Sequence, residues 1–344
     1  PAFLLKADGG ALPLGLGEGR PVETIFSGPA ASALGGLALG GQEESAVVLD
    51  IGGTTTDLAL ILDGRPLLAS RGARVEGYYT HVRSLAVRSL PLGGDSYVRV
   101  REGRLLIGPE RLGPAYCLGG PVATPTDALR YLGYTDLGEA RRAEEAVAQL
   151  AQELGLTARE AAELVLTEML ALLQAAIEEM FLTWEQEPAY RVWEIMRGRR
   201  GRPRKIIGVG GAAPALTAGV AEALGFTAVV PPHAASANAI GAALARPTLY
   251  VTLHADTERG LYNIEELGYH GSLPRGDRFS LDDACALAKQ HLEAEAARLS
   301  ADGAGAELLY AEGFNVVRGW VTSGRIFDVV MQLSPGLIAG WQGG

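Results

Sequence analysis

The sequence predicts an α/β fold made of one large lobe and a smaller α+β module, and three observations support this prediction. Residues 46–70 contain apolar strands joined by tight turns, which indicates successive antiparallel strands. The region of about 137–200 carries long apolar stripes with polar faces, which indicates a helical insertion. Residues 204–224 change from an apolar strand through a glycine pair to a helix. We expect the lobe to span residues 1–250 and the module to span residues 251–344.

The first elements are predicted from glycine, proline and serine residues, which mark turns and helix ends. We predict a short strand at Ala2–Leu5, then a glycine-rich loop, then an alanine-rich helix with Ser27 as its N-cap. Ala46–Ile51 and Asp57–Leu62 are predicted as antiparallel strands because both are apolar and a Gly-Gly turn separates them. Asp63-Gly64 is a hairpin signal that predicts a third strand at Pro66–Ser70.

The remaining elements follow from periodicity and capping. The insertion is predicted to hold two helices, Gly138–Leu154 and Thr157–Trp184, and Thr157 with Glu160 forms a capping box. Strands at Arg204–Val209 and Thr227–Val230 alternate with helices at about 215–224 and 234–245. In the module, a second capping box at Ser280 and Asp283 starts a helix, and the last two strands form a hairpin turning at Thr322-Ser323-Gly324.

Composition excludes some classes of function. The 344 residues carry a net charge of −10, so we expect no nucleic-acid partner. No apolar stretch reaches membrane-spanning length, so we expect no membrane association. Two cysteines provide neither a disulfide framework nor metal-ligand spacing, which favours a reducing cytoplasm.

The run Asp50-Ile51-Gly52-Gly53-Thr54-Thr55-Thr56-Asp57 is the most informative stretch. Glycines at a strand end let the backbone approach a ligand, and successive N–H groups there form an anion-binding nest. Threonine hydroxyls add donors for phosphate oxygens, and carboxylates beside phosphates usually act through Mg2+. The simpler alternative is a hairpin whose aspartates satisfy turn N–H groups. We predict that phosphates bind at Gly52, Gly53, Thr54, Thr55 and Thr56, and that Mg2+ binds at Asp50 and Asp57.

Two further glycine pairs are candidates for the same site. Gly208-Val209-Gly210-Gly211-Ala212-Ala213 resembles a dinucleotide-binding turn, but the next strand ends without the acidic residue which that motif requires. We therefore predict an adenosine-facing edge at Gly210, Gly211 and Ala212, with close helix–strand packing as the alternative. Gly93-Gly94-Asp95-Ser96 could hold substrate or phosphate, or be an ordinary turn. The candidate catalytic residues are Asp50, Asp57 and Asp95.

Taken together, these motifs resemble the hydantoinase/oxoprolinase family. The resemblance covers about residues 20–245, and it rests on four segments that occur in the family's order. They are Phe26-Ser27-Gly28-Pro29-Ala30-Ala31-Ser32, Asp50–Asp57, Gly93–Ser96 and Gly208–Pro214. The resemblance extends to Val230-Pro231 and to the predicted helix at Ala235–Gly241. The resemblance implies an actin-like (ribonuclease H-like) ATPase lobe, with ATP and Mg2+ as cofactors and ATP-dependent opening of a cyclic amide as the activity.

The same resemblance implies missing parts. Proteins of this superfamily have two lobes that each contribute a phosphate loop, and this sequence contains one Asp-x-Gly-Gly-Thr loop. We therefore expect a C-terminal portion that lacks the first lobe, binds ATP poorly alone, and works with that lobe, a partner subunit or a second copy. Alternatives on the same fold are a non-catalytic ATPase switch that reactivates another enzyme, and a small-molecule kinase with Asp95 as the base.

Overall fold

The computed structural model describes residues 2–41, 44–186, 201–273, 278–299 and 305–338. The end of the predicted insertion, residues 187–200, lies outside the described residues. Helices in the described residues are numbered in chain order: α1 (Leu14–Gly17), α2 (Ser27–Gly40), α3 (Pro125–Leu132), α4 (Ala140–Leu154), α5 (Ala158–Gln186), α6 (Ala213–Leu224), α7 (Ala237–Leu244) and α8 (Leu281–Arg298). No helix in these ranges is both long enough and apolar enough to cross a membrane.

The strands are numbered in the same way. They are β1 (Phe3–Leu5), β2 (Ala11–Pro13), β3 (Ala46–Ile51), β4 (Thr56–Leu62), β5 (Arg65–Pro66), β6 (Arg74–Val75), β7 (Tyr78–Tyr79), β8 (Val87–Leu90), β9 (Val98–Arg101), β10 (Arg104–Ile107), β11 (Lys205–Val209), β12 (Thr227–Val229), β13 (Tyr250–Asp256), β14 (Leu261–Ile264), β15 (Tyr269–Ser272), β16 (Ala306–Arg318) and β17 (Val321–Leu333).

The described residues form two compact units. The central unit falls within residues 6–9, 22–244 and 337–344, and the carboxyl-terminal unit within residues 1–5, 10–21 and 245–336. The hairpin of β1 and β2 thus groups with the carboxyl-terminal unit. The expected lobe, in contrast, runs continuously over residues 1–250 and contains this hairpin. The predicted boundary after residue 250 stays a prediction.

The central unit is built on a sheet in the order β12-β11-β3-β4-β5, with β8 also paired to β4. Strand β11 runs parallel to β3 and to β12, whereas β4 runs antiparallel to β3. Both faces of the sheet are covered by helices, so its central strands are apolar on both sides. On one face, buried Leu49 and Ile206 pack in one core with Leu173 and Phe181 of α5 and Leu216 of α6.

The other face of this sheet is covered by α2, whose small side chains allow a close approach. A Cβ atom added at Gly36 would lie 2.7 Å from Val48 Cγ1, and one added at Gly40 would lie 2.6 Å from Ile207 Cγ2. Glycine at these positions therefore brings the helix backbone against the sheet. This three-layer arrangement fixes the ends of β3 and β11, where the predicted site residues lie.

The carboxyl-terminal unit contains an antiparallel sheet in the order β15-β14-β13-β17-β16. Alternate residues of β13 and β17, such as Leu253 and Val329, are buried with Ala288 and Leu292 of α8 in a second core. One face of the sheet is thus covered by the helix, as expected for an antiparallel sheet with alternating side chains. Both predicted capping boxes are confirmed, at Thr157 with Glu160 and at Ser280 with Asp283.

Three local predictions are wrong. Ser27 is not an N-cap, because Phe26 precedes the helix in the left-handed region (φ 58°) and no side chain caps the end. The third strand is only two residues long, at Arg65–Pro66. The last hairpin turns at Gly319 (φ 65°) and not at Thr322–Gly324, because Gly324 lies within β17. A Cβ atom added at Gly324 would lie 2.7 Å from Glu258 N, so glycine serves close packing there and not a turn.

Candidate functional site

The two aspartates of the phosphate motif lie opposite each other across the β3–β4 hairpin. Strand β3 ends at Ile51 and β4 begins at Thr56, and the register pairs Asp50 with Asp57. The turn is tight, because Gly52 N donates to Thr55 O at 3.0 Å. Directly opposed residues of an antiparallel pair project their side chains to the same face of the sheet. The hairpin therefore brings two carboxylates together beside the Gly-Gly turn.

Partial burial shifts the proton affinity of both carboxylates. Desolvation raises the pKa of Asp50 above its ordinary value, and the hydrogen bond from Ser32 opposes this rise. Desolvation also raises the pKa of Asp57, where the hydrogen bond with Ser89 acts in the opposite direction and the charge of Asp50 raises the pKa further. Within the described residues, the buried Asp57 Oδ1 has no hydrogen-bond partner. Raised carboxyl pKa values and an unsatisfied buried oxygen are typical of functional sites.

The second predicted loop, Gly93–Ser96, lies backbone to backbone on the first. Gly94 N donates to Gly52 O at 2.9 Å, and Asp95 N donates to Gly53 O at 2.7 Å. A Cβ atom added at Gly93 would lie 2.5 Å from Gly53 O, so no larger residue fits there without a shift of the backbone. The Gly93 position is held by Ser96, whose Oγ accepts from Gly93 N at 2.8 Å. Two glycine turns distant in the sequence thus form one continuous surface.

Asp95 lies over this surface. Its Oδ2 atom is 2.6 Å from the position that a Gly53 Cβ atom would occupy, so the absence of a side chain at Gly53 makes room for the carboxylate. The same Oδ2 accepts a hydrogen bond from Arg111 Nη2 at 2.8 Å. Asp95 is therefore an ion-paired carboxylate beside the first turn.

The third loop, Gly210–Ala212, joins the others because β11 pairs in parallel with β3, with Val209 opposite Asp50. Gly210 has a φ of 89°, and a Cβ atom there would lie 2.3 Å from Asp50 Oδ1. Ala212 N donates to Ile51 O at 3.1 Å. The loops that follow the carboxyl ends of two adjacent parallel strands therefore meet, which is the usual place for ligands on such sheets.

The three threonines of the motif differ from one another. Thr54 and Thr55 are exposed beside the turn, where their hydroxyls can reach a ligand. Thr56 is fully buried, and its Oγ1 donates to Leu92 O at 2.7 Å. In this structure the Thr56 hydroxyl ties the start of β4 to Leu92, between the end of β8 and the second loop, and its predicted phosphate contact stays a prediction.

Two residues that the sequence did not single out complete the surroundings of Asp50. Ser32 of α2 is buried and donates to Asp50 Oδ2 at 2.5 Å. Asn238 of α7 donates from Nδ2 to Ser32 Oγ and to Gly28 O, each at 2.9 Å. Because the Gly28 carbonyl can only accept, the Asn238 amide nitrogen must face it, and the Ser32 proton is then directed at Asp50. Ser32 lies in the segment Phe26–Ser32 and Asn238 in the helix at Ala235–Gly241. Both segments contribute to the family resemblance, but no local pattern predicts a role for either side chain.

The residues present fit a divalent cation that is coordinated partly by carboxylates of the chain and partly by water and a bound ligand. In the described part of the chain, no group of three or more His, Cys, Asp or Glu side chains is arranged to hold a metal by itself. Mg2+, however, usually binds through one or two carboxylates together with phosphates and water. The opposed pair Asp50 and Asp57, with its unsatisfied buried oxygen, matches that donor set.

Comparisons with known proteins agree with the geometry. The profile of the hydantoinase/oxoprolinase family matches residues 1–250, which include all three loops. The chain belongs to the hydantoinase/oxoprolinase family. It is 28% identical over 254 residues to caprolactamase subunit alpha of Pseudomonas jessenii, which covers 69% of this chain and 34% of that protein. It is 31% identical over 162 residues to the acetophenone carboxylase gamma subunit of Aromatoleum aromaticum, covering 41% and 22% respectively.

The fold of this hydantoinase/oxoprolinase family member also matches a solved structure. The nucleotide-free structure of acetone carboxylase aligns with a TM-score of 0.62 and 19% identity, covering 98% of this chain and 52% of that one. The predicted fold class is confirmed: an actin-like α/β lobe with a helical insertion and a small α+β module. The chain spans about a third or less of the length of the two curated relatives.

Proposed function

We propose that this chain supplies one wall of an ATP site in an enzyme that opens a cyclic amide at the expense of ATP. The observation that carries the proposal is the meeting of three glycine loops around opposed Asp50 and Asp57 at the carboxyl ends of β3 and β11. Caprolactamase, as its name states, acts on a lactam, which is a cyclic amide, and this relative supports the substrate class.

Each loop has a proposed role. The Gly52-Gly53 turn, exposed Thr54 and Thr55, and Gly93-Gly94 offer backbone N–H and hydroxyl donors to phosphate oxygens. Asp50 and Asp57 would hold Mg2+ that neutralises those phosphates. Gly210–Ala212 would face adenosine, because the lack of side chains leaves a flat edge beside the start of α6. Asp95 would orient the amide or an attacking water.

ATP, when bound, would supply a phosphoryl group to the amide oxygen, so that water can add to the amide carbon, the ring C–N bond can break with a proton going to the nitrogen, and the phosphoryl group can leave as phosphate. The residues of this chain would then act by position and by charge. The stacked turns fix where phosphate oxygens lie, and the two aspartates fix the cation. The helices on both faces keep this edge of the sheet rigid, which is what a preorganised site requires.

We further propose that the opposite wall of the cleft comes from a first lobe or a partner subunit. Two relatives are themselves named as subunits, alpha and gamma, and this chain spans only 34% and 22% of them. The two cysteines are free, which fits a cytoplasmic location. If the chain supplies only one wall of the cleft, it should bind MgATP alone in the millimolar range. Micromolar binding measured by calorimetry would contradict the proposal that the opposite wall comes from elsewhere.

ATP turnover tests the activity. The chain is combined with the lobe or subunit that completes it, and phosphate release is followed with ε-caprolactam, 5-oxoproline or hydantoin. We expect release that depends on one of these cyclic amides and is lost in Asp50→Asn. Absence of turnover with all three contradicts the substrate class.

A second candidate is ATP-dependent carboxylation of a ketone, which the acetophenone carboxylase relative favours. Turnover that requires acetophenone or acetone together with bicarbonate would support it. Turnover that needs no small substrate and rises with a protein partner would instead indicate an ATPase switch. Phosphate transfer to a substrate hydroxyl would indicate a kinase.

A further inference from the structure

The proposed Mg2+ at Asp50 and Asp57 would balance those two carboxylates, but Asp95 and an anionic ligand leave further negative charge at the candidate site. Asp50, Asp57 and Asp95 meet at the loops, and a phosphate or carboxylate ligand would add further anionic oxygens. Lysine is the usual point charge for phosphate, but each lysine of the sequence is ion-paired to a carboxylate outside these loops. The pairs are Lys6 with Asp8, Lys205 with Glu44, and Lys289 with Glu293.

Arg111 brings a cation to the edge of the loops. Its Nη2 lies 2.8 Å from Asp95 Oδ2, and that oxygen lies 2.6 Å from the position of a Gly53 Cβ atom. The segment before Arg111 is tied to the second loop, because Tyr97 N donates to Glu110 O at 2.8 Å. The guanidinium is therefore held beside the surface formed by Gly53 and Gly94, and not on a distant strand.

The side chain of Arg111 has capacity for a ligand. A guanidinium carries five N–H donors, and the bond to Asp95 uses one of them. The Arg111 side chain is 42% exposed, whereas its partner Asp95 is 13% exposed. An arginine that is anchored at one nitrogen and partly open to solvent suits bidentate binding of an oxyanion.

We propose that Arg111 is an oxyanion-binding residue that contacts either a terminal phosphate of ATP or the carboxylate of a substrate, with Asp95 holding its guanidinium in place. This inference rests on the proposed function, since the oxyanion is the nucleotide or substrate of the same site. Asp95 then has a positioning role toward Arg111 in addition to its place over Gly53.

The test compares Arg111→Ala, Arg111→Lys and the control Arg99→Ala. Arg99 is a good control because it also forms an exposed pair, at 2.6 Å with Glu110, in the same β9–β10 region. Ligand-observed NMR reads millimolar binding of MgATP, AMP, 5-oxoproline and its uncharged analogue 2-pyrrolidinone by the 344-residue chain. Circular dichroism checks that each variant is folded.

We expect Arg111→Ala to weaken binding of one oxyanion by about tenfold or more, with partial retention in Arg111→Lys and no change in Arg99→Ala. A loss for MgATP but not AMP assigns the terminal phosphates, and a loss for 5-oxoproline but not 2-pyrrolidinone assigns a carboxylate. Affinities within about twofold for both oxyanions, or no saturable binding by the wild-type chain, overturn the inference. The proposed function is judged separately, by amide-dependent turnover of the completed enzyme.

Discussion

The candidate site and the carboxyl-terminal unit use carboxylates in opposite ways. In the central unit, burial raises the pKa values of Asp50 and Asp57, and Asp57 Oδ1 has no partner in the described residues. In the carboxyl-terminal unit, Glu258 lies on the surface against Arg318 at 2.6 Å, and that hydrogen bond lowers its pKa to about 2. The Glu258 carboxylate is thus stabilised by a cation of the chain itself, whereas burial disfavours the charged forms of Asp50 and Asp57.

Individual glycines of the two units also differ in what surrounds them. In the central unit, glycines stand where backbone meets backbone, as at Gly93 on Gly53 and at Gly35 on Ala237. In the carboxyl-terminal unit, Gly268 and Gly319 stand at turns with open space around them. Glycines of the first kind permit close approach of two backbones, and glycines of the second kind permit reversal of the chain. Substitutions that separate these uses therefore test the comparison.

The largest effect is expected for Gly35→Ala. A Cβ atom at Gly35 would lie 1.9 Å from Ala237 O, a backbone atom that cannot rotate away, so α2 and α7 must separate. We expect a loss of about 3 kcal/mol in the free energy of unfolding, measured by urea denaturation. Gly28→Ala in the same helix is the control, because nothing lies within 4 Å of its added Cβ atom. Equal losses in the two variants would contradict backbone-to-backbone packing.

A smaller loss is expected for Ser32→Ala, which removes the donor to Asp50 and the acceptor for Asn238. A hydrogen bond to a charged group contributes more than one between neutral groups, so we expect a loss of about 2 kcal/mol. Thr217→Val is the matched control, because Thr217 is equally buried and donates to a neutral carbonyl, Ala213 O, at 2.7 Å. We expect at most about 1 kcal/mol there. If urea unfolding shows a larger loss of unfolding free energy for Thr217→Val than for Ser32→Ala, the special role of the Ser32 contact with Asp50 is contradicted.

The loops of the candidate site could be predicted from the sequence for a physical reason. Gly52-Gly53 and Gly210-Gly211 each follow an apolar strand, and this local signal predicts a turn with exposed N–H groups whatever the rest of the fold does. Gly93-Gly94 follows the mixed strand Val87–Leu90 and is marked by its glycine pair alone. The same reasoning could not find Asn238, which reaches Asp50 only through Ser32 on another helix. Its α7 helix reads as ordinary small-residue packing. Arg111 was missed for the same reason, since its link to Asp95 depends on the pairing of Tyr97 with Glu110.

Strand boundaries were likewise predicted correctly where the signal is local in the sequence, and wrongly where it depends on a distant contact. The bounds of β3 match the predicted Ala46–Ile51, because a fully buried strand is marked by its apolar run. The final hairpin was misplaced, because Gly319 and Gly324 are both turn residues by type. Only the packing of Gly324 against Glu258 decides between them, and that contact joins residues far apart in the sequence.

The smallest effect in the comparison is expected for Asp57→Asn, and its sign distinguishes the two units. Burial raises the pKa of Asp57 above the ordinary 3.8, so the folded state binds the proton more tightly than the unfolded state. The resulting stabilisation is complete below about pH 3.8 and is lost as the pH rises through the folded pKa. At pH 7 the ionised carboxylate therefore costs stability, and Asp57→Asn should be more stable than the wild type by about 1 kcal/mol.

Asp283→Asn in α8 should behave oppositely. Hydrogen bonds from Ser280 lower the pKa of Asp283, so its stabilisation is present at neutral pH and is lost as the pH falls through the folded pKa. Hydrogen exchange of β3–β4 and of α8 between pH 4 and pH 7 reads each unit separately. We expect protection at pH 7 to rise in β3–β4 of Asp57→Asn and to fall in α8 of Asp283→Asn. The β3–β4 difference should shrink toward pH 4, whereas the α8 difference should be largely retained at pH 4, which is still above the ordinary aspartate pKa of 3.8. A fall in both would mean that the Asp57 carboxylate stabilises the fold as Asp283 does, and that the central unit holds no uncompensated charge for a cation.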